Sequence, residues 1–453
     1  MSNGQGQRQS VFGGLVLILI GVLFLLHRFR PELGIAHFFR LYWPLLLIVW
    51  GVAKLIENFA YRNPGDPRRP VITGGEIALL LLLVFLALGL DSYDKVRARF
   101  PELDLGDIWT NNKGVPVAED LPVQKIPPNS TISIDTDQGD ITVFAEDTAE
   151  LRVVATKTVT ALSDQESRKR AEEINVAIAP GANGEYDVHP SGTSGRGHAR
   201  VDFEVHVPAK ATIIAKTEKG DINVGGVSGT VTATTQNGDV EVHDTGAVTI
   251  AVQSGDVRVT HVTGDVNVKG PGNDVTVSDV SGDATFDGDF YGSVQLEKIA
   301  QTTRFTSSRT TLTILNLRGH LDLDSGSLAV SDVRGSIRVA TRDRDVNLEN
   351  TAGRIEISDA HGDVSVNLNQ PPKDEINIAN DTGGVEVALP ATSTFEISAS
   401  SRSGDIQSDF GSSGLNQQSS EDSSTLNGKV GTRGPKITIT TSYGTIKLSK
   451  SES

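Results

Sequence analysis

A glycine followed by a short run of alternating polar and aliphatic residues recurs about every nine positions through the second half of this 453-residue chain. It begins with Gly220-Asp-Ile-Asn-Val, then Gly229-Thr-Val-Thr-Ala, Gly238-Asp-Val-Glu-Val, Gly246-Ala-Val-Thr-Ile, Gly255-Asp-Val-Arg-Val and Gly264-Asp-Val-Asn-Val. These glycines are spaced 9, 9, 8, 9 and 9 residues apart. The beat continues at Gly282 and Gly292 and returns at Gly335, Gly353 and Gly362. A unit this short cannot bury its own apolar face, so successive units must stack to make a core. The pattern predicts an all-β, single-stranded parallel β-solenoid, β-helix-like, over residues 211–410.

Within one beat, Val240 and Val242 share a strand face and point into the coil, while Asp239 and Glu241 point out. The glycine marks a sharp corner, expected at positive φ, and the aspartate beside it can accept from turn amides. The structural repeat positions are therefore Gly220 with Asp221, Gly238 with Asp239, Gly255 with Asp256 and Gly264 with Asp265. Gly282 with Asp283, Gly362 with Asp363 and Gly404 with Asp405 complete the set. Two beats give a coil of about 18 residues and three give about 27; both counts fit the spacing. On the shorter count His243 stacks on His261, Asp265 on Asp283, and Asp221 on Asp239. Carboxylates one strand apart repel by about 1 kcal/mol in water. They must be solvated, offset by amides or bridged by a cation.

Calcium β-rolls carry Gly-Gly-x-Gly-x-Asp in each nonapeptide. Here each beat has one glycine, and the beats at Gly229, Gly246 and Gly335 lack the aspartate, so a structural role for the aspartates is expected. His243 and His261 lack a third ligand at a recurring offset. The nine histidines form no Ser-His-Asp pattern, and no zinc-protease, nucleophile-elbow or phosphate-loop motif occurs. Asp343 and Asp345 could be read as a carboxylate pair of a glycan-cleaving β-helix, but arginines alternate with them. We assign no catalytic, cofactor or metal residues, and expect a protein that is not an enzyme. Cysteine is absent, which excludes disulfides and thiolate sites.

The first hundred residues are different material. Residues 11–26, 41–56 and 77–90 are almost wholly apolar. Extended to about 11–29, 41–59 and 73–92, each approaches the roughly 20 residues that span a bilayer. Trp43, Pro44 and Trp50 are placed as interfacial residues. No small-residue cleavage site follows the first run, so an uncleaved anchor after a tail at 1–10 is expected. Residues 1–100 carry a net charge of +5, which leaves −21 for the rest of a chain of net charge −16. That acidity argues against nucleic acid and against direct docking on anionic lipid, so the bilayer is a partner through the apolar runs and an envelope protein or a glycan through the acidic remainder. The positive-inside rule favours a cytoplasmic solenoid. The Thr-, Ser-, Asn- and Asp-rich, cysteine-free repeat favours an extracytoplasmic one, which is the expectation adopted, on a bacterial inner membrane.

Between anchor and repeats, residues 93–128 hold five prolines after position 100 and read as a semi-rigid connector. Residues 129–210 read as irregular first coils and a cap. Within them Ser163-Asp-Gln-Glu166 opens either a short helix or a solvated loop. Residues 411–434 read as a flexible Ser/Gly-rich loop and 435–453 as a terminal hairpin around Ser442-Tyr443-Gly444.

Two resemblances follow from these residues. The segment from Gly14 to Leu26 with Tyr42-Trp43-Pro44 to Gly51 is similar to the LiaI/LiaF-like transmembrane region of bacterial envelope-stress proteins. The run from about Lys125 to Leu448 resembles the bacterial putative-adhesin domain, also called the toast-rack β-solenoid. It does so through its Gly-Asp-Val/Ile beats, the strand ending Val205-His-Val-Pro208, and Gly384-Val-Glu-Val-Ala-Leu-Pro390 followed by Ser403 to Phe410. The resemblance implies a membrane-associated, non-catalytic adhesion, scaffold or sensing module. The first resemblance implies an alternative, a regulatory partner of an envelope-stress sensor kinase.

Overall fold

The chain divides into two compact units, Met1–Asn112 and Lys113–Ser453. The computed structural model describes residues 114–451, apart from 162, 182–183, 193–198 and 412–413. The three expected spans and Trp43, Pro44 and Trp50 lie outside the described residues. No helix among the described residues is long and apolar enough to cross a membrane.

The second unit is all-β with one described helix. Its strands stack in two parallel ladders. Val231–Asn237, Val248–Ser254, Val266–Lys269 and Ala284–Asp287 follow one another in the first. Ile222–Gly225, Val240–Thr245, Val257–Val262 and Val275–Val280 follow one another in the second. Strand residues alternate between faces, so the valines of both ladders point into one shared core. Val240 pairs with Val257 and each is 1% exposed. β-branched side chains suit this stiff, half-buried pleat.

The register settles the coil length at two beats. Val257 pairs with Val275, and Val266 with Ala284. The coil that contains the short step from Gly238 to Gly246 loses one residue, so Val240 pairs with Val257. That lost residue corrects one expectation. His243 pairs with Thr260, and Asp244, not His243, meets His261.

The repeat reverses once. Val294–Thr306 completes a coil by pairing in parallel with Val275–Val280 and with Ala284–Asp287. The chain then turns and runs back along the whole coil as Thr310–Leu323, antiparallel to Val294–Thr306. Ser327–Ser331 and Ile337–Thr341 pair antiparallel to that return strand, and parallel stacking resumes beyond them. We call this reversal the seam.

Both ends are stitched. Thr131–Gln138 lies between Glu185–Ser191 and Thr212–Lys219, so a coil made later in sequence sits outside the first one. At the other end Lys436–Tyr443 lies between Ile376–Thr382 and Phe395–Ser403. Ile446–Ser451 likewise lies between Val385–Pro390 and Ile406–Ser408. The residues expected to form a terminal hairpin are therefore one coil inserted into the stack. Their aliphatic alternation (Ile437, Ile439, Ile446, Leu448) suits a buried rung on two sides, and all four are buried. The expected flexible loop instead contains an antiparallel pair, Leu415–Ser419 with Ser424–Val430, which covers the edge of Phe395–Ser403.

The other end is covered by Glu150–Val159, antiparallel to Ala199–Pro208, and by the helix Asp164–Glu172. Ser163 caps that helix by accepting from the Glu166 amide at 3.3 Å. Part of the expected spacer joins the cap. Val115–Asp120 pairs antiparallel with Glu150–Val159. Its Val115 amide donates to Ser167 Oγ at 2.9 Å, and Ser167 Oγ donates to the Val159 carbonyl at 2.5 Å. The buried Lys157 Nζ donates to Glu119 Oε2 at 2.7 Å and to the Ile174 carbonyl at 2.9 Å.

Candidate functional site

The repeated Gly-Asp corners are the feature most regularly placed by the sequence, and their geometry is specific. Gly238 sits at φ +155°, and a Cβ there would lie 1.9 Å from the Gly220 carbonyl oxygen. Gly220, Gly255 and Gly404 are also at positive φ. Gly264, Gly282 and Gly362 are not, contrary to expectation, and are required for a different reason. A Cβ on Gly282 would lie 2.5 Å from the Gly264 carbonyl oxygen, because stacked corners approach backbone to backbone.

Most corner carboxylates then accept from the amide of the next coil. The Asp221 amide donates to Asp140 Oδ1 at 2.9 Å, the Asp239 amide to Asp221 Oδ1 at 2.8 Å, and the Asp256 amide to Asp239 Oδ1 at 2.8 Å. On the alternate corner the Asp283 amide donates to Asp265 Oδ1 at 2.9 Å, and the Thr302 amide to Asp283 Oδ1 at 2.9 Å. Beyond the seam the Asp363 amide donates to Asp345 Oδ1 at 2.8 Å, and the Gly384 amide to Asp363 Oδ1 at 2.7 Å. Asp405 departs from this pattern and supplies its backbone carbonyl to the Ile446 amide at 2.9 Å. A charge-assisted amide bond at every step offsets the repulsion along the stack. Among the described residues no group of three or more His, Asp or Glu could hold a metal ion.

The histidines take another role. Asp244, His261, Asp279 and Lys298 occupy one corner of four successive coils, all at φ between 52° and 56°. His261 Nδ1 lies 3.7 Å from Asp244 and its Nε2 lies 3.7 Å from Asp279. The two ring nitrogens address different neighbours, so no common centre forms with His243, which contacts Asp244 at 2.9 Å.

Asp343 and Asp345 are not aimed at a shared reacting atom. Asp345 belongs to the amide stack, and Asp343 faces His361 at 3.5 Å. Arg344 between them donates to the Asp324 carbonyl at 2.6 Å and to Thr310 Oγ1. Asp324 is held below the usual carboxylate range by the amides of Gly326 and Ser327.

One functional-looking group escaped the sequence. Asp359 is 3% exposed, and among the described residues neither carboxylate oxygen has a well-aligned hydrogen-bond partner. Burial pushes its pKa up to about 6, with the nearby amides of Ala360 and His361 acting in the opposite direction. It lies in register between Thr341 and Asn380 on an inward corner position. Elsewhere that position carries a donor to the carbonyl of a corner glycine. Thr217 donates to Gly139 at 3.1 Å, Asn380 to Gly362 at 2.9 Å and Ser401 to Gly444 at 2.9 Å. The signal in the sequence was the alternation Ile355, Ile357, Asp359, which places the carboxyl on the aliphatic face.

The outward rows differ between ladders. The first carries Thr232, Thr249, Asn267 and Thr285; the second carries Glu241, Arg258, Thr276 and Gln295. An open groove of about 410 Å³ near the inserted C-terminal coil is lined by hydroxyls including Ser400, Ser401, Thr440 and Thr441.

Residues 269–449 match the family model of the Toastrack DUF4097 domain, and residues 11–55 match that of the LiaI-LiaF-like transmembrane region. No curated protein matches the chain. Among solved structures the chain is similar to a putative adhesin from Parabacteroides distasonis, at 9% identity, 74% of this chain, 98% of that chain and TM-score 0.25. It is also similar to a putative adhesin from Bacteroides fragilis, at 12% identity, 74% and 98% coverage and TM-score 0.17. A putative cell adhesion protein from Clostridium sporogenes matches at 9% identity, 74% and 100% coverage and TM-score 0.16. The stacked Gly-Asp coils thus lie in a region similar, over residues 269–449, to the Toastrack DUF4097 domain, and residues 11–55 are similar to the LiaI-LiaF-like transmembrane region.

Proposed function

We propose that this protein is a membrane-anchored, non-catalytic β-solenoid of the bacterial cell envelope that acts as an adhesion, scaffold or sensing module through its outward strand rows. The observation that carries the reading is the engagement of the corner carboxylates by backbone amides from coil to coil. The repeat spends its acidic chemistry on holding its own corners. What it offers a partner is a long, regular polar surface, suited to a glycan or an envelope protein contacted across many rungs. The toast-rack match supports the module and the LiaI-LiaF-like match supports the anchor.

In this reading the solenoid is extracytoplasmic and the anchor crosses the membrane three times. A reporter fused after Ser453 that is active only outside the cytoplasm tests this. Activity of the cytoplasmic version instead would remove adhesion from consideration.

The match over residues 11–55 favours a second reading, a regulatory partner of an envelope-stress sensor kinase acting through the spans. Replacing residues 1–92 by an unrelated anchor separates the two. Attachment by the solenoid survives that exchange, whereas regulation through the spans is lost. A third reading, a β-helix polysaccharide lyase or hydrolase, requires turnover of envelope glycan that Asp343→Asn and Asp345→Asn abolish.

A further inference from the structure

The outward row of the first ladder is uncharged at Thr249, Asn267 and Thr285, and then meets the seam. There Arg304 pairs with Thr313, and Thr313 pairs with Arg338 on its other side. Adjacent strands lie roughly 4.8 Å apart, so the two arginines flank one threonine at a backbone separation of about 10 Å. The arrangement exists only because the chain reverses at this point. Arg338 comes from beyond the return strand, and no nine-residue spacing relates it to Arg304.

Arg304, Arg338 and Arg354 all border a groove of about 240 Å³, together with Thr302, Thr313 and Leu315. One carboxylate, Glu356, also lines it. Glu356 takes Arg338 Nε at 2.9 Å and one Arg338 Nη at 2.7 Å, and Arg354 meets Glu375 at 3.2 Å. Among the described residues no ion pair reaches Arg304. The coils before the seam are acidic, with 4 basic and 12 acidic side chains over residues 211–293.

We propose that this groove is a binding site for a phosphate-type oxyanion, seated over the Thr313 hydroxyl between Arg304 and Arg338. A guanidinium presents a rigid fork of donors that matches oxygens in pairs. One fork already satisfies both oxygens of a carboxylate. Two forks from opposite sides with a hydroxyl beneath them suit a tetrahedral group with more oxygens to share. Like charges held on either side of a neutral residue are favourable once an anion lies between them.

The test is a titration of the full-length protein in detergent at constant ionic strength. The probes are inorganic phosphate, a glycerol-phosphate oligomer and acetate, read by calorimetry. Saturable binding of either phosphate probe, with acetate at least tenfold weaker, is expected; preference for the oligomer assigns the source as a phosphodiester polymer and preference for free phosphate assigns the small ion. Arg304→Ala weakens phosphate binding tenfold or more with an unchanged melting temperature, since Arg304 holds nothing else in place. Glu356→Gln releases Arg338 and tightens binding severalfold. Absence of saturable binding by both phosphate probes, equal binding of acetate, or unchanged affinity in Arg304→Ala would each overturn the site. The outcome is separate from the adhesive reading, which concerns attachment by the whole chain.

Discussion

Adding one methyl group at Gly238 would put a carbon 1.9 Å from the Gly220 carbonyl oxygen, and Gly220 stands in the same relation to Gly139 at 2.0 Å. The corner column therefore has no room to relax by moving one member. Gly238→Ala is expected to destabilise the solenoid by about 2–4 kcal/mol, from strained backbone and overpacking together. A thermal melt followed by the far-ultraviolet β signal reads it, and a shift of under a degree would contradict the corner geometry. The neighbouring Asp239 acts through one acceptor oxygen, and Asn retains such an oxygen. Asp239→Ala should cost about 0.5–1.5 kcal/mol and Asp239→Asn less. If Asp239→Asn and Asp239→Ala cost the same, the carboxylate is not serving as an amide acceptor. At Asp359 the sign is opposite. Its folded pKa of about 6 lies above the ordinary value of 3.8, so the fold prefers the protonated form. Stability from this group is fully present below the ordinary value and is lost as pH rises through about 6. Asp359→Asn, which copies Asn380 one coil further on, should raise the melting temperature at pH 8 and leave it nearly unchanged at pH 4. An equal gain at both values would show that burial of the charge is not the cause.

The elements at the two ends behave differently from those between them. A repeat coil in the middle touches only its neighbours, but Lys436–Tyr443 and Ile446–Ser451 are inserted between coils made earlier in the chain. A chain stopped after Gly434 should therefore lose more than a frayed end. Its Phe395–Ser403 coil is left with no parallel neighbour, and aliphatic side chains on both sides of the gap become exposed. Limited proteolysis should then cut between 391 and 434 at least tenfold faster than in the intact chain, while the strands before the seam remain protected. Protection equal to that of the intact chain would mean the inserted coil is dispensable. Much of this element scale was legible beforehand, for example the alternation at Val240 and Val242, whereas at Ser163 the capped helix was one of two open readings. The order of coils was not. Ile437 and Ile439 have the alternation of any strand, and nothing local distinguishes a terminal hairpin from a rung that slides into an open slot. The same limit applies at Thr310–Leu323, where alternation gives the inward face but not the direction of the chain.

For the molecule as a whole, nearest-neighbour stacking makes stability a sum over coils and their interfaces. Val248 pairs with Val266 and Val231 pairs with Val248, so residues 248–265 form one full coil. Deleting them brings Val266 onto Val231 in unchanged register. The shortened protein is expected to fold, with a melting temperature within several degrees of the parent. Deleting only 248–256 removes one strand of the pair, hands the next strand to the wrong ladder and should abolish cooperative melting. Similar behaviour of the two deletions would contradict the two-strand coil.

Local sequence decided the stacking principle, because a valine face of period two and a glycine at each corner leave a short unit no other way to bury its apolar side. It also marked most corner aspartates as backbone-amide acceptors, while the coil that supplies the amide is seen only in the stack. It did not determine the seventeen-residue coil's effect on His243 and His261, the reversal at the seam or the insertion of the last coil. Each of those depends on which distant strand becomes the neighbour. A β-ladder is held by backbone bonds that any residue can make, so strand order is chosen by the packing of the whole stack and not by the residues of any one rung.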